Sequence, residues 1–104
     1  MHGRIYMADI AFHPEAAAEF EEALCWYAER SERAAQGFEE AVSNALRDIE
    51  AAPQRWPLID SRHRIRILEK RYPYHVIYRM NDDVPTVIAI AHHRRKPRYW
   101  SRRR

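Results

Sequence analysis

Apolar residues recur along this chain with two different periods, and the change from one to the other divides it. Between Pro14 and Ala52 the repeat is helical. Phe20, Leu24 and Tyr27 fall on one stripe, with Ala16, Ala17 and Ala23 beside them. His13-Pro14-Glu15 opens this segment, since proline suits a first helical turn, where a missing N–H costs nothing. Glu15, Glu19, Glu21 and Glu22 crowd its first half and Arg30 and Arg33 its end, the polarity that a helix dipole favours. Ser31 is placed to cap a second helix, in which Ala35, Phe38, Val42, Ala45, Leu46 and Ile49 repeat until Pro53 stops it. Gly37 inside that run either costs about 1 kcal/mol against alanine or marks the turn of the hairpin.

After Trp56-Pro57 the period becomes two. Ile65 and Ile67 alternate with Arg64, Arg66 and, further on, Lys70; Val76 and Tyr78 alternate with His75 and Arg79. Val84 to Ala91 is nearly all apolar, as a central strand buried on both faces would be. Asn81-Asp82-Asp83 supplies the hairpin turn before it. Ile5 to Phe12 reads as a short strand of loose register. The chain is expected to be one α+β domain over 1–104, ordered β-α-α-β-β-β, with a helical hairpin packed on one face of a small, mainly antiparallel sheet.

Composition narrows the function classes. With 46% hydrophobic and 32% charged residues, global disorder and low-complexity structure are excluded. No apolar run approaches the roughly 18 residues of a membrane span, so no membrane role is expected. Arg4 and Asp9 interrupt the N-terminal apolar stretch, against a signal peptide, and the single Cys25 fits a reducing cytoplasm. The net charge of +3 hides a division. Pro14–Ala52 carries ten acids against Arg30, Arg33 and Arg47, a net of −7, while Pro53–Arg104 carries a net of +10. A basic tail over 94–104 ends the chain. Such polarity fits a polyanion or an acidic partner on one face, or simply a solvated tail.

The helical hairpin, Arg55-Trp56-Pro57, the run Arg71-Tyr72-Pro73-Tyr74-His75-Val76-Ile77-Tyr78 and the run from Ala91 to Trp100 together resemble the RelE/ParE toxins. These are the toxin halves of type II toxin–antitoxin modules, also met as plasmid stabilization proteins. The likeness extends from about Ile10 to Trp100. It implies growth arrest, and a cognate antitoxin whose C-terminal segment wraps the toxin. RelE-like members cut mRNA in the ribosomal A site and ParE-like members poison DNA gyrase. The resemblance favours the gyrase poison slightly over the ribosome-dependent mRNA endonuclease, with a non-toxic binding module as a further alternative.

An RNase of this type needs a group titrating near neutrality and fixed cations on phosphate. By position in the family pattern, Arg64, Arg66, His75, His93 and Tyr99 match places where RNase-type members carry functional residues. Two of those places hold histidine where arginine is common. The catalytic candidates are therefore His93, Arg66, His75 and Tyr99. Arg64, Arg66, Arg79, Arg94, Arg95 and Arg98 are the candidates for nucleic-acid or target binding, against the reading of Arg64 and Arg66 as the solvated half of an amphipathic strand. Phe20, Leu24 and Tyr27 are the candidates for an antitoxin groove on the helical hairpin. Trp100 is expected to pin the tail to the core, Trp26, Tyr27 and Trp56 to pack in the core or hairpin, His92 to make a structural hydrogen bond, and Cys25 to be packing rather than a nucleophile. Adjacent His92 and His93 point to opposite strand faces, no CxxC or HExxH occurs, and two glycines cannot build a phosphate loop. Neither a metal nor another cofactor is expected.

Overall fold

The computed structural model describes residues 10–104, so Ile5 to Asp9 of the expected first strand lie outside the described residues. The elements are β1 (Ala11–Phe12), α1 (Pro14–Arg30), α2 (Glu32–Ala51), β2 (His63–Ile67), β3 (Tyr74–Asn81) and β4 (Val84–His92). The strands form one sheet in the order β1-β4-β3-β2, with β1 parallel to β4 and the other pairs antiparallel. The α+β class and element order are those expected from the sequence.

The hairpin turn is a single residue. Ser31 is extended (φ −170°), its N–H donates to Tyr27 O at 2.9 Å, and its Oγ accepts from Ala34 N at 2.9 Å. One serine thus closes α1 and opens α2. Gly37 is therefore not the turn but lies inside α2. The ring of Tyr72, 4% exposed, passes directly over it, and a Cβ there would collide with the Tyr72 hydroxyl. Glycine's helix cost is offset by that close approach.

The two helices share the core unequally. α2 buries Ala35, Phe38, Ala41, Val42, Ala45, Leu46 and Ile49, whereas α1 buries only Ala16, Phe20 and Ala23. At about 1.5–3 kcal/mol for each fully buried large side chain, α2 contributes most of the attachment. α1 is the outer helix, and it leaves Trp26 50% exposed and Cys25 exposed. Both were expected to be packing residues. They fall on the side of α1 turned away from the Phe20 stripe.

Val76, Tyr78, Val87 and Ile90 face the helices, while Ile77, Ile88, Ala89 and Ala91 face the other way. A register shift at Ile77/Tyr78 skips Ile88 and brings Tyr78 against Val87. The second face is not open to solvent, because the C-terminal segment folds across it. Trp100 (3% exposed) packs on Ile77, Ile88, Ala89 and Ala91, with half-buried Ile65 and Tyr99 alongside. Ile67, expected to share Ile65's buried face, is 55% exposed. No described helix is long and apolar enough to cross a membrane.

Glu19 holds this segment in place. Beyond Val87, β4 has no described strand on its outer edge, because among the described residues β1 pairs only with Thr86 and Val87. Glu19 Oε1 accepts from Ile90 N at 3.0 Å, and Arg103 Nη1 donates to Ile88 O at 3.0 Å. The Arg103 guanidinium also grips the Glu19 carboxylate through both terminal nitrogens, at 3.0 and 2.8 Å, and Tyr99 Oη donates to Glu19 Oε2 at 2.7 Å. Four donors thus converge on one carboxylate that is 13% exposed. Glu19→Ala should lower stability by about 2–4 kcal/mol, because it strands a part-buried guanidinium and a buried amide. Urea denaturation checks this, and a loss below about 0.5 kcal/mol, as expected for exposed Glu29→Ala, contradicts it.

Candidate functional site

The β2–β3 register decides which candidate residues meet. Arg66 pairs with Val76 and Arg64 with Tyr78, so both arginines lie on the helix face of the sheet. His75 pairs with Ile67 and Ala91, on the opposite face. Arg64 Nη1 donates to Gln54 O (3.1 Å) and Trp56 O (2.7 Å). Arg66 Nη2 pairs with Asp48 Oδ2 at 2.7 Å, and its guanidinium lies 4.7 Å from the Trp56 ring centroid. Both arginines brace the loop between α2 and β2. They are not brought together with His75 or His93.

Arg79 is 7% exposed and donates to the main-chain oxygens of Arg103 (3.2 Å) and Arg104 (3.1 Å). Its cross-strand neighbour His63 is 6% exposed and tilts against Trp100 at 4.8 Å. Asp60 anchors that corner. Burial alone would raise its carboxyl, but hydrogen bonds from the Arg62 and His63 amides, from Arg98 and from the His63 ring hold it well below the usual range. Arg98 therefore has one partner already, at 3.0 Å. Tyr99 lies between the Arg95 guanidinium, 3.8 Å from its ring centroid, and that of Arg103 at 5.0 Å. Burial first, and then the adjoining Glu19 carboxylate, push its hydroxyl up, so it remains a protonated donor to Glu19.

A pocket remains between the tail and the sheet. It has a volume of about 240 Å³, a floor of Ile65, Ile77 and Ala91, and His75 and His93 at its side. The two imidazoles stack with centroids 5.1 Å apart and planes at 22°. Arg95, Lys96 and Arg98 stand around its rim. Burial, followed by the neighbouring His93 and His92, pushes His75 down to about 4. At neutral pH His75 is an uncharged imidazole beside a cationic rim, able to accept a hydrogen bond. Arg94 is exposed just outside, its N–H donating to His92 Nδ1 at 3.0 Å. His92 also lies edge-on to Tyr74 at 5.0 Å, and burial lowers its pKa.

The antitoxin candidates fare differently from one another. Phe20 is 1% exposed and stacked on Phe38 at 5.8 Å, so it has no surface to offer. Leu24 is half-buried against the core. Tyr27 is half-buried, its ring 5.0 Å from Phe38, and reaches the surface at the wall of a groove that it shares with Trp26. Glu19, Arg103 and His63 were not anticipated as organising residues. Their partners lie far along the chain or in a loop, so no local spacing signals them.

A family model for the ParE toxin of type II toxin–antitoxin system, parDE, matches residues 10–97. No curated protein matches the chain.

His75 has a pH signature. A histidine held below its ordinary value of 6.5 favours the fold only while neutral. Between about 4 and 6.5 the unfolded chain binds the extra proton, so stability rises with pH across that window and is lost as pH falls through it. The His75 ring should titrate near pH 4 by NMR, and His75→Gln should flatten part of the slope, with His63 and His92 contributing the rest. A His75 midpoint near 6.5 contradicts the half-buried, neutral assignment.

Proposed function

The chain belongs to the ParE toxin family of type II toxin–antitoxin systems, and from that membership we propose that it arrests bacterial growth by binding DNA gyrase rather than by cutting RNA. Its partner in the module is a cognate antitoxin. The observation that carries the proposal is that Arg64 and Arg66 lie on the opposite sheet face from the pocket lined by His75, His93 and Tyr99. Arg64 and Arg66 lie on the helix face and are occupied by Trp56, Gln54 and Asp48. Tyr99 and Arg79 hold the tail. Catalysis by positioned groups requires them within hydrogen-bond reach of one reacting centre, and the division across the sheet keeps Arg64 and Arg66 out of that pocket's reach.

A binding mode makes better use of the same features. The tail is a folded platform rather than a solvated string, and it presents Arg94, Lys96 and Arg102 outward, all exposed. A rigid basic surface loses little conformational entropy when it meets an acidic protein surface or DNA held by an enzyme.

The second reading is the ribosome-dependent mRNA endonuclease, and one observation favours it: the stacked His75–His93 pair beside Arg95, Lys96 and Arg98. There the cations would face the phosphorane, while His75, held down at about 4, is a weak base at neutral pH, which counts against this reading.

Expression in a bacterium separates the two. Gyrase poisoning predicts gyrase-linked DNA breaks and a DNA-damage response, with His93→Ala reducing toxicity by less than about threefold, since no catalytic proton transfer is removed. Loss of toxicity by about 100-fold or more in His93→Ala, with undamaged DNA, would overturn the binding reading in favour of cleavage.

A further inference from the structure

Another hollow opens at the turn of the helical hairpin, with no residue of the tail in its lining. It has a volume of about 520 Å³ and lies between the start of α2 and the loop that joins β2 to β3. Arg33, Gly37 and Glu40 line it from α2, and Arg71 and Tyr72 line it from the loop. That volume is in the range of small-molecule sites.

Tyr72 is the fixed part of this place. Its N–H donates to Glu69 O at 3.0 Å, and its own carbonyl accepts from Tyr74 N at 2.7 Å. Its ring is wedged against Tyr27 at 5.5 Å and Phe38 at 5.8 Å. Tyr72 is 4% exposed, and its hydroxyl stands over Gly37 at the pocket, where the missing Cβ makes room for it. No hydrogen bond engages that hydroxyl among the described residues. Buried polar groups are nearly always matched, so a hydroxyl held rigidly at a pocket and left unmatched by the chain points to a ligand.

The charged groups tell what kind of ligand. Arg33 and Arg71 are exposed, and neither pairs with a carboxylate among the described residues; nor does Glu40 pair with a cation. Around the lining, Arg30 is already paired with Glu29 at 3.7 Å, and Glu69 and Lys70 offset each other ahead of Arg71. Glu32 and Glu39 add negative charge on α2 outside the pocket. Bulk charge therefore does not make this an anion site. Its donors do: two guanidinium forks, the Tyr72 hydroxyl, and the first-turn amides of Glu32 and Arg33, which no described acceptor takes. Guanidinium forks match phosphate oxygens, and a helix start favours negative charge. Glu40 selects further. An isolated anion would meet that carboxylate as like charge, whereas a phosphate ester that carries hydroxyls can donate to it.

We propose that this pocket binds a phosphate monoester of a polyhydroxylated molecule, a sugar phosphate or a mononucleotide. The phosphate rests on Arg33, Arg71 and the Tyr72 hydroxyl, and a hydroxyl of the ligand donates to Glu40. Bound there, it joins the start of α2 to the β2–β3 loop. The site depends neither on the choice of target nor on the antitoxin.

Nuclear magnetic resonance titration of the full chain with ribose 5-phosphate, AMP and inorganic phosphate, at matched ionic strength, tests the assignment. Both esters should bind saturably and move the amide signals of Gly37, Arg71 and Tyr72, leaving those from Arg94 to Arg102 in place. They should bind about fivefold or more tighter than inorganic phosphate, and Glu40→Gln should reduce that preference to about twofold or less. Arg71→Gln should weaken the esters about tenfold or more. Tyr72→Phe should weaken them about threefold or more, yet leave the unfolding temperature of the free chain within about 2 °C, since the hydroxyl bonds nothing in the protein. Arg55→Gln, beyond the other end of α2, should leave the affinities unchanged. AMP binding more tightly than ribose 5-phosphate identifies a mononucleotide, and equal affinities a sugar phosphate. Shifts confined to the tail, or no saturable shift at millimolar concentration, overturn the proposal. So does inorganic phosphate binding as tightly as the esters, or equal weakening by Arg71→Gln and Arg55→Gln.

Discussion

Because β1 as described runs only over Ala11 and Phe12, the outer edge of β4 beyond Val87 carries ladder groups that no described strand satisfies, and the Glu19 carboxylate answers the Ile90 amide. A buried amide without a partner costs about 1–3 kcal/mol, so something has to fill the place. An acid on α1 does so while also collecting Arg103 and Tyr99. The consequence reaches beyond the edge. Once Arg103 is fixed to Glu19 and to Ile88 O, the chain between Arg94 and Arg104 must cross the second face of the sheet, and Trp100 lands on Ile77, Ile88 and Ala89. Arg79 secures the far end of that crossing through two carbonyls.

This closure shapes what the protein can do. A sheet with helices on one face and a bare basic second face would be a natural platform for a nucleic-acid strand. Here that face is largely filled, and the space left is a small pocket beside two stacked imidazoles. The exposed cations sit on the outside of the tail. The molecule has in effect two separate surfaces, a basic one on the tail and an acidic, aromatic one along α1.

Much of the architecture was legible because it rests on local periodicity. The Phe38–Ile49 stripe, the Ser31 cap and the alternation around Val76 each follow from spacing alone, and each stands where expected. Which faces of neighbouring strands coincide was not legible. Alternation places Arg66 opposite Ile65 and His75 opposite Val76, but only the pairing of Arg66 with Val76 reveals that Arg66 and His75 point apart. Gly37 was ambiguous because its reason, the overlying Tyr72, lies on a distant segment. The same holds for Glu19 and Arg103, 84 residues apart in sequence. One reads as an ordinary acid in a helix N-terminal half and the other as one of several arginines in a basic tail. Trp100 pins the tail to the core as its place in the sequence suggests, whereas nothing in the run of arginines marks Arg103 as the one that anchors it.

The central claim, that this basic face binds and does not cut, is tested most directly in cell-free bacterial translation with purified protein. The 5′ ends of the message are mapped with and without ribosomes, beside a supercoiling reaction containing purified gyrase. Intact message together with gyrase-dependent DNA cleavage is the expected result. New 5′ ends appearing only on translating ribosomes, with gyrase unaffected, would contradict the account and make the His75–His93 pocket a nuclease site.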